Sequence, residues 1–182
     1  MHGYDVIVVG GGGSGLAAAC AAAERGGRVL VLERQPQLGG TTGIAVGSFT
    51  GSGTSLQREA GIDDDPGDHD EDAGKFAAAD VEARNNAALR RWFLGEAAAT
   101  YEWLRGLGLS FVGPSPEPPN RVPRMHNVVP GAKAYIATLQ AHFLRHGGEI
   151  ITGAAVTSLV RAGGRVLAGK NGAHNASEKN HG

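Results

Sequence analysis

The feature that most constrains this chain lies in its first thirty-three residues. Tyr4-Asp5-Val6-Ile7-Val8-Val9 is a short apolar run, and Gly10-Gly11-Gly12-Gly13-Ser14-Gly15 follows it directly. An Ala-rich helical stretch runs from Leu16 to about Arg25, and a second apolar run, Val29-Leu30-Val31-Leu32, ends on Glu33. Strand, glycine turn, helix, strand and acid in this order make a dinucleotide-binding βαβ unit. Gly10, Gly12 and Gly15 fit G-x-G-x-x-G: the first permits the tight turn, the second lets a pyrophosphate reach the backbone, and the third lets the helix approach the sheet. Gly13 and Ser14 lie at the start of the helix, whose unpaired N–H groups and partial positive charge suit phosphate. Glu33 can accept hydrogen bonds from ribose hydroxyls and would repel a 2′-phosphate, which disfavours NADP.

The βαβ unit alone does not separate NAD from FAD. After Glu33 and Arg34 the chain continues Gln35-Pro36-Gln37-Leu38 and then Gly39-Gly40-Thr41-Thr42-Gly43. Gly39 and Gly40 allow backbone amides to lie against a ligand, and Thr41 and Thr42 supply hydroxyls. The ordered set V-I-V-V-G-G-G-G-S-G-L-A-A-A, V-L-V-L-E-R and L-G-G-T-T resembles the FAD-binding part of the fumarate reductase/succinate dehydrogenase flavoprotein family, which includes 3-ketosteroid dehydrogenases and urocanate reductases. A second patch of resemblance runs from Arg124-Met125-His126-Asn127-Val128-Val129-Pro130-Gly131-Ala132 through a helical pattern to Glu149-Ile150-Ile151 and Ala155-Val156-Thr157-Ser158-Leu159-Val160.

The resemblance implies an α/β fold: a Rossmann-like FAD-binding domain with a three-layer parallel sheet, incomplete relative to the family, plus a helical insertion. It implies FAD as cofactor, held by Gly10, Gly12, Gly13, Ser14, Gly15, Glu33, Arg34, Gly39, Gly40, Thr41, Thr42, Gly47 and Val156. Val156 would meet the adenine through main-chain atoms. Gly47 ends the small-residue stretch Ala45-Val46-Gly47, where Val46 stands in place of a glycine common in the family. The implied activity is hydride transfer through the flavin N5 atom at a carbon–carbon bond beside an electron-withdrawing group. The substrate-capping domain, with its catalytic acid and its grip on the substrate, would come from parts that this chain lacks, so no catalytic residue is assigned.

The expected boundaries are 1–168 for the N-terminal part of the FAD-binding domain, with a helical and loop insertion at about 48–125, and 169–182 for a disordered tail poor in bulky apolar residues. Strands are expected at 4–9, 28–32 and 149–152, in the order third-second-first. The open edge of that sheet would expose unpaired backbone, to be covered by a partner chain or a second copy. Two other readings stand beside the oxidoreductase: a non-catalytic truncated fragment or half of a split enzyme, and an NAD-binding Rossmann protein, which the Gly-Gly-Thr-Thr loop argues against.

The remaining signals are bounds. The 182 residues suffice for one domain; 41% are apolar and 19% charged, as in a soluble globular protein. A net charge of −1 points away from nucleic acid. No run reaches the length of a membrane span, no signal-peptide pattern precedes the first strand, and the expected location is cytoplasmic. Cys20, the single cysteine, reads as a buried residue of the first helix. Asp63-Asp64-Asp65 and Asp68-His69-Asp70-Glu71-Asp72 lack EF-hand spacing and read as a solvated turn capping the next helix, so no metal site is expected. Asn175-Ala176-Ser177 is a formal glycosylation sequon, silent without secretion.

Helices are expected at about 69–89 and 90–106, with Phe76, Trp92, Phe93 and Trp103 in the core, and an irregular Pro-rich loop at 113–123. Residues 34–58 read as loop. His126 reads as structural, His69 and His142 as surface residues, and Arg121 and Arg124 as surface residues or neutralisers of an anionic ligand.

Overall fold

The computed structural model describes residues 3–162 and 165–171. Along the chain run β1 (Val6–Val9), α1 (Gly13–Glu24), β2 (Val29–Leu32), a 3-10 turn (Thr42–Ile44), β3 (Ser48–Thr50), α2 (Ser55–Glu59), α3 (Pro66–Ala73) and α4 (Ala79–Glu82). Then come α5 (Ala87–Gly106), β4 (Ser110–Ser115), β5 (Met125–Val129), α6 (Lys133–Arg145), β6 (Glu149–Ile151), β7 (Val156–Ala162) and β8 (Arg165–Asn171). The chain divides into two units: Met1–Ala45 with Tyr135–Gly182, and Val46–Ala134.

The first unit is built on a parallel sheet in the order β1-β2-β6, the third-second-first order expected. β2 lies in the middle, Val6 opposite Val29 and Leu30 opposite Glu149, and all four of its residues are buried. A parallel strand covered on both faces reads as an unbroken apolar run, as Val29–Leu32 does. α1 joins β1 to β2 and buries Leu16, Ala19, Cys20 and Ala23, the spacing of one helical face. α6 buries Ile136, Leu139 and Phe143. The Cys20 thiol donates to the Leu139 carbonyl oxygen at 3.4 Å, and burial pushes its pKa up to about 11, so it is an inert packing residue. β7 and β8 form an antiparallel pair. Gly169, Lys170 and Asn171 end β8, inside the stretch expected as tail; residues 172–182, with Asn175, lie outside the described residues.

The second unit differs most from the sequence reading. Its centre is an antiparallel sheet, β3-β5-β4, where only loops and helices were expected. Residues 34–58 are therefore not simply loop: β3 lies within them and α2 begins there, and Thr54 and Gln57 close a reciprocal capping box at the start of α2. The Pro-rich stretch begins inside β4, an edge strand whose pairing shifts between Val112 and Ser115. Proline lacks a ladder donor and is tolerated at such an edge. The two expected helices become three, because the first is broken at 74–78 into α3 and α4; Asn86 caps the start of α5, its side chain accepting the Leu89 N–H at 3.0 Å. Phe76, Trp92 and Phe93, expected in the core, are 51, 66 and 56% exposed; Tyr101 and Leu104 fill the interior instead.

The acidic stretch is only partly a solvated turn. Asp65 does cap α3, accepting from the Gly67 and Asp68 N–H groups. Asp64 and Asp72, however, are buried against Arg124, which is itself fully buried. The guanidinium forks onto both Asp64 oxygens at 2.7 Å and reaches Asp72 at 2.7 Å. Burial opposes ionisation of both carboxyls, but hydrogen bonds outweigh it, from Arg124 and Gln57 at Asp64 and from the Arg121 N–H, Lys75 and Arg124 at Asp72, and hold them below the usual carboxylate range. Arg121 is also spent on Asp72, Asp68 and Glu71, so neither arginine is a free anion neutraliser. His69, expected at the surface, is buried.

Candidate functional site

The glycine turn leaves β1 through Gly10 at φ +103°, a conformation that L side chains rarely adopt. Its N–H donates to the Leu32 carbonyl at 2.8 Å, which fixes the turn over the end of β2. Gly15 is glycine for packing: a Cβ there would lie 1.9 Å from the Gly10 carbonyl oxygen. Gly12, the N-cap of α1, is different. A Cβ on Gly12 would meet nothing nearer than the Gly39 oxygen at 3.7 Å and the Gly40 Cα at 4.0 Å, so the protein's own packing does not demand glycine here. An anion-binding backbone that must stay bare for its ligand has this property.

The loop at 38–43 closes over this turn. Gly39 donates to the Gly11 carbonyl at 2.9 Å, and Gly12 and Gly39 form a parallel bridge. The Thr42 hydroxyl accepts the Gly13 N–H at 3.3 Å at the start of α1. No side chain caps α1 from its N-cap position. Thr41 and Gly40 are exposed beside it, and Ser14 is exposed on the first turn of the helix. The sequence-predicted set from Gly10 to Thr42 therefore gathers around one helix N-terminus.

Beyond the turn lies a cleft of about 270 Å³ lined by Val9, Gly10, Leu32, Glu33, Arg34, Ala154, Ala155 and Val156. Glu33, Arg34 and Val156 were singled out from sequence; Val9, Leu32, Ala154 and Ala155 were not, since nothing in an apolar or small side chain marks it as lining. Ala154 and Val156 pack with Leu30 and Leu32 at the end of the sheet. Glu33 is 7% exposed. Its Oε2 accepts the Gly11 N–H at 2.7 Å and its Oε1 the Gln35 N–H at 2.8 Å. Burial works against the charge, but these two backbone hydrogen bonds outweigh it and hold the carboxyl below its ordinary range. Gly11 and Gln35 were missed by sequence reasoning, because they act through main-chain N–H groups that every residue carries.

Gly47 lies in the second unit, and its requirement for glycine is internal: φ is +102°, and a Cβ would sit 2.8 Å from the Ala132 nitrogen and from Val128 Cγ1. His126 is fully buried. Its Nε2 lies 2.8 Å from the Thr54 hydroxyl, and its Nδ1–H donates to the Phe49 carbonyl at 3.1 Å. Burial lowers its pKa, and both ring nitrogens are engaged within the protein. His142 is half-buried rather than on the surface, with Nε2 2.6 Å from Glu24. Among the described residues no cluster of His, Cys, Asp and Glu could hold a metal ion.

The cleft lies next to the glycine turn at the start of α1. Comparison with known proteins gives the class. A family model described as "FAD binding domain" matches residues 5–178. The NADH:fumarate oxidoreductase of Klebsiella pneumoniae (strain 342) is 30% identical over 166 residues, covering 90% of this chain and 18% of that protein. The open conformation of a flavocytochrome c3 fumarate reductase superposes with a TM-score of 0.78 at 28% identity, over 86% of this chain and 28% of that one. A 3-ketosteroid-Δ4-(5α)-dehydrogenase from Rhodococcus jostii RHA1, in complex with 4-androstene-3,17-dione, shares the fold at TM-score 0.81 and 24% identity, over 92% of this chain and 41% of that one. The chain thus spans less than half the length of each of these relatives.

Proposed function

This chain belongs to the FAD binding domain family, and from that premise we propose that it is the cofactor-holding part of a flavoprotein oxidoreductase acting at a carbon–carbon bond beside an electron-withdrawing group. The observation that carries this reading is the backbone cradle at Gly12, where a side chain would meet no protein atom closely. In this reading Gly12, Ser14 and Gly15 present N–H groups to the pyrophosphate, while Gly10 shapes the turn and Gly13 opens the helix beside Thr42. Glu33 takes the adenosine ribose, with Arg34 and the Val156 backbone beside the adenine. Gly39, Gly40, Thr41 and Thr42 line the path towards the flavin, and Gly47 is a further contact. Bound FAD would supply the hydride chemistry through its N5 atom.

The substrate-binding and proton-donating groups come from outside residues 3–171 in this reading. Residues 46–134 form an insertion between the two halves of the cofactor unit. A second reading, a cofactor module completed by another chain or a second copy, is favoured by the edge of the sheet. β1 pairs with β2 alone among the described strands, and Val6, Ile7 and Val9 are 39, 38 and 57% exposed. No helix among the described residues is long and apolar enough to cross a membrane. A cytoplasmic location belongs to the same reading and accords with the one free, buried cysteine.

The test is reconstitution. The purified chain mixed with FAD should show saturable binding with a perturbed flavin absorption band, and should not bind NADPH. No saturable FAD binding would end the proposal. Turnover of fumarate or an enone steroid by the chain alone, with FAD, would end the reading that a further part supplies the catalytic groups.

A further inference from the structure

Four consecutive glycines, Gly10 to Gly13, are the most mobile backbone a chain can have, yet the site needs them held in one conformation. We propose that Glu33 is a positioning residue for the glycine turn as well as a ribose acceptor: its carboxylate clamps the Gly11 N–H and so presents the Gly12–Gly13 backbone to the pyrophosphate.

The clamp is itself anchored. The Glu33 N–H donates to the Ile151 carbonyl at 2.9 Å, and its carbonyl accepts the Ala154 N–H at 2.8 Å, so β6 and the segment after it hold its main chain. The Gln35 carbonyl accepts the Gly153 N–H at 3.0 Å, which fixes the second residue that Glu33 grips. Gly11 is seated directly on this side chain: a Cβ at Gly11 would lie 3.4 Å from the Glu33 Cβ and 2.3 Å from Leu38 Cδ2. An ionised carboxylate offers about four acceptor positions. Gly11 and Gln35 use two of them. The others remain for ribose hydroxyls in the adjoining cleft, so one carboxylate ties ribose recognition to the shape of the phosphate-binding turn.

This inference rests on the FAD reading, and its test separates the two. In the wild-type chain without nucleotide, the amide proton resonances of Gly11 and Gln35 should shift together as pH falls through the Glu33 titration, since both lose a charged acceptor. Binding is then measured with ADP and with 2′,3′-dideoxy-ADP, which lacks the ribose hydroxyls. Removing a negative charge beside an anionic ligand would by itself tighten binding. Glu33→Leu should nevertheless weaken both ligands by about tenfold, because it leaves the Gly11 N–H without its acceptor. A loss confined to ADP, or amide protons indifferent to the Glu33 titration, overturns the proposal. Amides that titrate in a chain binding neither ADP nor FAD overturn the FAD reading and not the clamp.

Discussion

Single residues in the glycine turn do separate jobs, and their substitutions should separate too. Gly12→Ala meets no protein atom closer than 3.7 Å and loses only a modest N-cap preference, so the chain should fold with its Tm lowered by no more than about 4 °C while FAD affinity falls at least about tenfold. Gly15→Ala places a methyl 1.9 Å from the Gly10 carbonyl oxygen and should lower the Tm as well. Paired melting curves and FAD titrations distinguish the two variants. His69 gives a pH signature. Burial lowers its pKa from 6.5 to about 4, so between those values the unfolded chain binds a proton that the folded chain refuses. Stability should therefore fall as pH drops from 6.5 towards 4, by at most about 3 kcal/mol. Urea unfolding across this window should show a slope that His69→Gln reduces, the remainder coming from His126, whose pKa burial also lowers. Glu33, Asp64 and Asp72 have depressed pKa values; the Asp64 and Asp72 contributions are lost as pH falls below 3.8, and that of Glu33 begins to go at 4.5, the lower end of the window. The acidic stretch at 63–72 shows what residue types alone leave undecided. The same aspartate is a helix cap at Asp65 and a buried ion-pair partner at Asp72, and only contact with Arg124 and Arg121 distinguishes them.

At the scale of elements, legibility followed locality. β1, α1 and β2 were readable because their apolar spacing and the glycines between them are local signals. α5 was readable as a helix but not in its orientation. Its buried side chains are Leu94, Ala97, Tyr101 and Leu104, while the larger Trp92 and Phe93 face solvent. Size and hydrophobicity do not say which face of a helix has a neighbour. The start of α5 is set by Asn86, and Asn86→Ala should cost about 1 kcal/mol in chemical denaturation, with no change in FAD affinity if the cofactor is held by the first unit. β3, β4 and β5 escaped sequence reading for the opposite reason. Three to six residues carry little periodicity, and β3 pairs with a strand more than seventy residues away, Phe49 opposite His126.

For the whole molecule, the open edge of the parallel sheet is the feature with consequences. Ile7 is 38% exposed on a strand with one described neighbour. The isolated chain should therefore self-associate with rising concentration, and Ile7→Lys should shift sedimentation profiles towards monomer without lowering the Tm. An oligomer unaffected by this change would place the contact elsewhere. The sequence by itself determined that a dinucleotide binds, because a strand, a glycine turn, a helix, a second strand and Glu33 follow one another within a single stretch and each signal is local; the Gly39-Gly40-Thr41-Thr42 loop narrowed that to FAD. Only the tertiary structure decided how that stretch is held, with Glu33 on the Gly11 N–H and Gly39 against Gly12, and, within the second unit, that Arg124 lies between Asp64 and Asp72. These contacts join residues far apart in sequence, often through backbone groups common to every residue, and no local pattern of side chains encodes them.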